Sequence, residues 1–233
     1  HCTESLLETE KAGILPDGWD ERITKMIGNL ERLVKIPVDI DNIAAWRFAP
    51  YAAERCGSRR FLDKALAAAN VVLQRWARSE FGLLSMGGLS DDPLFLAHRT
   101  SPFFGYTRST NGRRNLHLNE QLHYFGAAFP GLSVASGDPR FLDETVALMR
   151  HIDTVHRDPM DGILRHASLH GKAIGEKWGR GVTHALLGVF YMLKQNPVLP
   201  EELQIDLSCG DEDGTTLTPS FQEEEGYTYS YLW

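Results

Sequence analysis

Cysteine is scarce and scattered in this 233-residue chain. Cys2, Cys56 and Cys209 are odd in number and show no CxxC spacing, so neither a disulfide framework nor a zinc knuckle is supported. Cys56 falls in a stretch read as helix, where a buried free thiol is expected. This usage fits a cytoplasmic chain and also allows secretion. No run of 18 or more apolar residues occurs, which removes a membrane-spanning helix. No signal-peptide pattern opens the sequence, which starts at His1 and is read as a mature form or a fragment. A P-loop, a Gly-rich dinucleotide turn, HExxH and a G-x-S-x-G elbow are all missing. Positive charge stops at Lys194, and the nine acids beyond it supply the net charge of −7. The rest of the chain balances 24 lysines and arginines against 22 acids. No basic stripe exists for a phosphate backbone, so nucleic acid is not an expected partner.

What is present is a repeat. Arg60-Phe61-Leu62-Asp63 recurs as Arg140-Phe141-Leu142-Asp143, and Phe81-Gly82-Leu83-Leu84 parallels Asp161-Gly162-Ile163-Leu164, both at an offset of 80. A long period implies repeated supersecondary units. Each unit reads as a helical hairpin. Ile43–Arg55 and Gln121–Ala135 are apolar nearly all round, whereas Arg60–Arg78 and the stretch from Phe141 to Ile152 carry one apolar face. A helix without a polar face must be buried, so the first helix of each pair is inner and the second outer. A third inner helix is expected at 181–194 and an outer one at Asp20–Lys35. No strand with sustained alternation is evident, and the expected class is all-α: an α/α toroid of inner–outer hairpins, or an open solenoid.

The link Ser79–Leu118 is rich in Gly, Pro and aromatics, and a link this long is uncommon unless functional or disordered. Residues 1–207 are read as a partial α/α-barrel domain and 208–233 as an acidic, irregular tail.

His166 and His170 are four apart but follow a glycine turn and lack an acidic third ligand nearby, so no metal site is expected. The starts of the inner helices are more telling. Asp39 and Asp41, then Asn119-Glu120, then Trp178-Gly179-Arg180-Gly181 stand at these starts. In a ring of hairpins the inner helices run the same way, which gathers these residues at one rim. Acids, an arginine and a tryptophan suit a carbohydrate or uronate, with the aromatic stacked on a sugar face. Ordinary helix capping accounts for any single acid equally well.

"NEQLHYFGAAFPGLSVASGDPRFLDE" (Asn119 to Glu144) resembles the region of the unsaturated rhamnogalacturonyl hydrolases, glycoside hydrolase family 105, that carries the catalytic acid. There an aspartate opens an inner helix and a TGDP-like turn follows. Counting back from Gly137-Asp138-Pro139 places Glu120 on that aspartate. "DGILRHASLHGKAIGEKWGRGVTHALLGVFYML" (Asp161 to Leu193) is similar to the family's segment with a histidine followed by W-x-R-G, matching His166, Trp178 and Arg180. "IDNIAAWRFAPYAAERCGSRRFLDKA" (Ile40 to Ala65) resembles the family's D-x-I stretch and matches its substrate-contacting acid to Asp41. The likeness covers about residues 20–207. The family has aspartate where this chain has Glu120, and usually an aromatic where it has His184. Six hairpins complete the family's barrel, whereas this chain has room for about three and a half.

The resemblance implies an (α/α)6 barrel and attack on small oligosaccharides ending in a 4,5-unsaturated uronic acid. The double bond is hydrated: an acid protonates C4, water adds at C5, and the hemiketal collapses to release the remaining sugar. One carboxyl group can donate and then accept the proton when a partly apolar pocket raises its pKa. The likeness assigns that role to Glu120 and orientation of water or a hydroxyl to Asp41. His166 and Arg180 would hold polar groups near the uronate, with Trp178 as a stacking wall; neither metal nor organic cofactor is implied. Two further readings stand beside it. One is a catalytically inactive toroid fragment that binds a saccharide or serves as an interaction scaffold. The other is an epimerase of related architecture, with His123 and His184 as its acid and base. A barrel that stops after about three hairpins would leave apolar flanks open, so self-association is expected.

Overall fold

The computed structural model describes residues 2–85, 94–95, 116–119, 121–177, 186 and 190, with side chains for all of these except 2–5, 40 and 41. The chain divides into His1–Gln195 and Asn196–Trp233, and every described residue belongs to the first unit. The expected tail from 208 lies outside the described residues.

The helices are α1 (Cys2–Lys11), α2 (Trp19–Leu33), α3 (Ala49–Cys56), α4 (Arg60–Arg75), α5 (Ala127–Ser136) and α6 (Pro139–His151). A 3-10 segment, Ile40–Phe48, leads into α3, and π turns at Leu122–Gly126 and Ile152–His156 flank α5 and α6. The apolar spacing decides which faces are hidden. Helix α2 buries Ile23 and Ile27, and α4 buries Phe61, Leu62, Ala65, Ala68, Ala69 and Val72. Helix α5 has no polar face, and every residue from Ala127 to Ser133 is buried. It packs against the 3-10 segment, α3, α4 and α6, which places it inside and leaves α4 and α6 with exposed faces.

Two prolines explain why neither inner segment is one continuous α-helix. Pro50 lies in the first turn of α3. Its ring would clash with the Trp46 carbonyl four residues back in a longer helix, so the chain enters as 3-10 and turns α-helical only at Ala49. Pro130 lies inside α5 and supplies no N–H for Gly126. The π turn ends at that residue.

The offset of 80 is visible in space. Residues 60–63 and 140–143 open α4 and α6, and the 81–84 and 161–164 motifs form corresponding turns, the second one residue longer. Gly82 and Gly162 have φ of 74° and 73°. Each turn is closed by an antiparallel bridge, Arg78 with Leu84 and Arg157 with Leu164. Arg78 donates to the Gly82 carbonyl at 2.6 Å and Arg157 to that of Gly162 at 3.0 Å.

The expected helical character holds in part: the chain is helix-rich, and a small antiparallel sheet, which was not expected, accompanies the helices. Strands β1 (His117–Leu118), β2 (Arg165–Leu169) and β3 (Lys172–Lys177) lie in that order, with His117 opposite Ser168 and Leu169 opposite Lys172. Residues 166–169 of β2 are buried without alternation, which removes the period-2 signal on which a sequence reading depends. Cys56, expected inside, is exposed at the end of α3. In the third expected inner helix only Leu186 and Phe190 are described. Both are helical, and both are exposed, at 63% and 51%, where buried positions were expected. From the link 79–118, Phe95 reaches the core, its ring edge-on to Trp76 at 5.2 Å. No helix among the described residues is long and apolar enough to cross a membrane.

Candidate functional site

The segment that opens the second inner helix is held from both sides. Asn119 donates from its backbone N–H to the His166 carbonyl at 3.1 Å and from Nδ2 to the Arg165 carbonyl at 3.2 Å. Gln121 donates from Nε2 to the Leu84 carbonyl at 2.8 Å, and its Oε1 accepts from the Leu118 N–H at 2.7 Å. Leu84 ends the first repeat turn and Arg165 follows the second, so the two side-chain amides clamp Asn119 and Gln121 to neighbouring, not equivalent, points of the repeat. Both residues are fully buried. A buried backbone group that loses its partner costs about 1–3 kcal/mol. Gln121→Leu orphans two such groups, and a loss of about 2–4 kcal/mol in a urea melt is the expected result. A loss under 1 kcal/mol would show that the clamp is not needed.

Of the residues matched to the glycosidase family, His166 is buried on β2, at the end of this clamp. Asp41 lies in the 3-10 segment, which packs against the Leu122–Gly126 turn, and its side chain lies outside the description. His123 is half-buried on that π turn, its ring 5.4 Å from that of Tyr124. Glu120, Trp178, Arg180 and His184 lie outside the described residues. Among the described residues, then, the structure brings together the neighbours of Glu120 and the strand that carries His166.

Strand β3 ends at Lys177, immediately before Trp178 in sequence, and an ionic clasp fixes that end. Asp158 accepts from Arg165 Nε at 2.9 Å and lies 3.2 Å from Lys177 Nζ. Lys177 also binds Asp161. The Met160 N–H, with Lys177 and Arg165, holds the Asp158 carboxyl down to about 2.

A buried histidine cluster escaped the sequence reading. His151 Nε2 lies 3.0 Å from Ser168 Oγ, which lies 2.7 Å from His156 Nε2. The His117 ring sits edge-on to His151 at 4.6 Å. Neither ring nitrogen of His117 has a partner within hydrogen-bond geometry. Burial, then the neighbouring His151, lowers His117 to about 3, the Leu84 backbone opposing only weakly. His156 is also lowered to about 3, by burial and then by His151 and His117. Burial lowers His151 too.

No group of three or more His, Cys, Asp or Glu among the described residues is placed to hold a metal ion. His166 is buried in the sheet while His170 sits exposed at the hairpin turn. Comparison with protein-family models, curated proteins and solved structures finds no match.

Proposed function

We propose that the chain is a glycoside hydrolase acting on oligosaccharides with a terminal 4,5-unsaturated uronic acid. Its helices would be arranged as part of an α/α toroid. The support lies in the clamp on 119–121. Two loci that the family likeness assigns to one site, 119–120 and 166, are joined by two hydrogen bonds from Asn119. Glu120 sits between two anchored residues, and a general acid benefits from a backbone that does not move. In this reading Glu120 protonates C4 of the sugar alkene, and its carboxylate then takes a proton from the water that adds at C5. Asp41 orients that water or a sugar hydroxyl. Arg180, His166 and His184 hold the polar groups around the uronate, and Trp178 stacks on the ring.

Incubation of the full chain with an unsaturated uronyl disaccharide tests this directly. Loss of the alkene absorbance together with release of the free sugar is the expected result. Saturable binding with no loss of absorbance would replace the hydrolase with the inactive saccharide-binding reading. Neither binding nor loss would remove both.

A further inference from the structure

We propose that the chain His151–Ser168–His156, stacked against His117, is an acid-operated latch that holds the β2–β3 hairpin to the end of α6. Its consequence for the proposed site rests on the reading above; the latch itself does not.

The local fold is shaped to build it. In an α-helix, residues five apart are separated by about 140° around the axis, so His151 and His156 would point to different sides. The π turn Ile152–His156 closes i→i+5 bonds instead, bringing both imidazoles to one hydroxyl on β2. Ser168 has a single proton to donate. One imidazole must therefore offer a lone pair to it and the other an N–H. Ser168 donates to one of the two imidazoles and accepts from the other. The accepting imidazole must be unprotonated at Nε2, so a proton there breaks the chain.

Among the described residues no acid stands ready to compensate a charge. The groups facing the cluster are His117 from β1, His166 and Ser168 from β2, and the Phe81 ring, 5.1 Å from His151. The first π turn, which also packs on α6, contributes His123. At the ends of the hairpin Asp158 pairs with Arg165 and Lys177, and Glu80 lies 3.5 Å from His170, while Lys172 and Glu176 of β3 are exposed. Among the described residues no carboxylate pairs with His117, His151 or His156.

The sign follows. Because the folded rings resist protonation, the latch is at full strength above the ordinary histidine pKa of about 6.5 and weakens as pH falls toward 3. Opening then gains up to one proton per ring. Each released histidine shifts the opening equilibrium up to about thirtyfold between pH 7.5 and 5.

Backbone hydrogen exchange of the full chain at pH 7.5 and 5.0, corrected for the intrinsic pH dependence of exchange, tests the latch. Peptides covering Arg165–Lys177 are expected to lose protection at least tenfold at pH 5.0, while Arg60–Arg75 of α4 changes less than threefold. Equal loss in both, or none in the hairpin, would overturn the proposal. His156→Gln can keep a bond to Ser168 but takes no proton, so hairpin protection should become at least threefold less acid-sensitive. His117→Phe keeps an aromatic edge against His151 and gives up no hydrogen bond, so it serves if the first variant fails to fold. Acid sensitivity unchanged in the folded variants would also overturn the latch.

Discussion

Glu120→Gln is expected to lower turnover of an unsaturated uronyl disaccharide by about 10²–10⁴-fold, the usual loss when a general acid–base group is removed. Glutamine keeps the size and the hydrogen-bonding shape of glutamate but carries no transferable proton. The melting temperature should hardly move, because Asn119 and Gln121 tie this segment to Arg165, His166 and Leu84 and are untouched by the change. Glu120→Asp should retain part of the activity. It restores the residue of the resembled family, but on a backbone set for one more methylene. A mere first-turn acid would behave differently: glutamine would then cost about 0.3–1 kcal/mol of stability and leave turnover intact. Measuring turnover and melting on the same protein separates the two roles. Unchanged turnover would remove Glu120 from the mechanism even if the disaccharide is hydrolysed.

The outer helices were legible because burial on one side writes itself into the sequence. Ile23 and Ile27, and Phe61, Ala65, Ala68 and Val72, recur at the helical spacing, and they are the buried residues of α2 and α4. The paired turns were legible as well, since a positive φ at Gly82 and Gly162 demands the residue that the repeat preserves. The sheet was not. The β2–β3 turn places His170 at φ 49° and Gly171 at φ 68°, the signs of a tight hairpin turn in which asparagine usually precedes glycine. A histidine-glycine pair between short runs, one of them buried on both faces, gave a weak signal. The π turns were invisible for a different reason. Their bonding is a local exception to the 3.6-residue period, so helical spacing cannot show that His151 and His156 share a face. Asn119 stood out as a cap and Glu120 as an acid, yet the clamp depended on Gln121. Its carbonyl partner, Leu84, lies 37 residues away, and no spacing rule predicts such a contact.

Phe129→Ala is expected to cost about 3–5 kcal/mol, the usual range for removing a buried aromatic ring. At roughly 2–4 °C per kcal/mol for a chain of this size, the melting temperature should fall by about 6–20 °C. Phe129 has no exposed surface. Its ring lies 5.1 Å from Phe125 and 5.4 Å from Phe141, and Phe125 in turn meets Trp76 edge-on at 5.4 Å. This row of rings runs from the end of α4, through the π turn and α5, to the start of α6, so it ties the two repeats together. The cost of a cavity depends on how far the surroundings collapse into it. Here collapse is hindered, because α5 is enclosed by the 3-10 segment, α3, α4 and α6. Val134→Ala on the same helix provides the contrast. That side chain is 57% exposed, and its loss should change stability by no more than about 0.5 kcal/mol. Urea melts with unchanged slope would assign both values to stability rather than to a change in the unfolded chain. A Phe129→Ala cost below 1 kcal/mol would mean that α5 is not enclosed. The division into buried and covering helices, on which the position of the 119–121 clamp depends, would then fail with it.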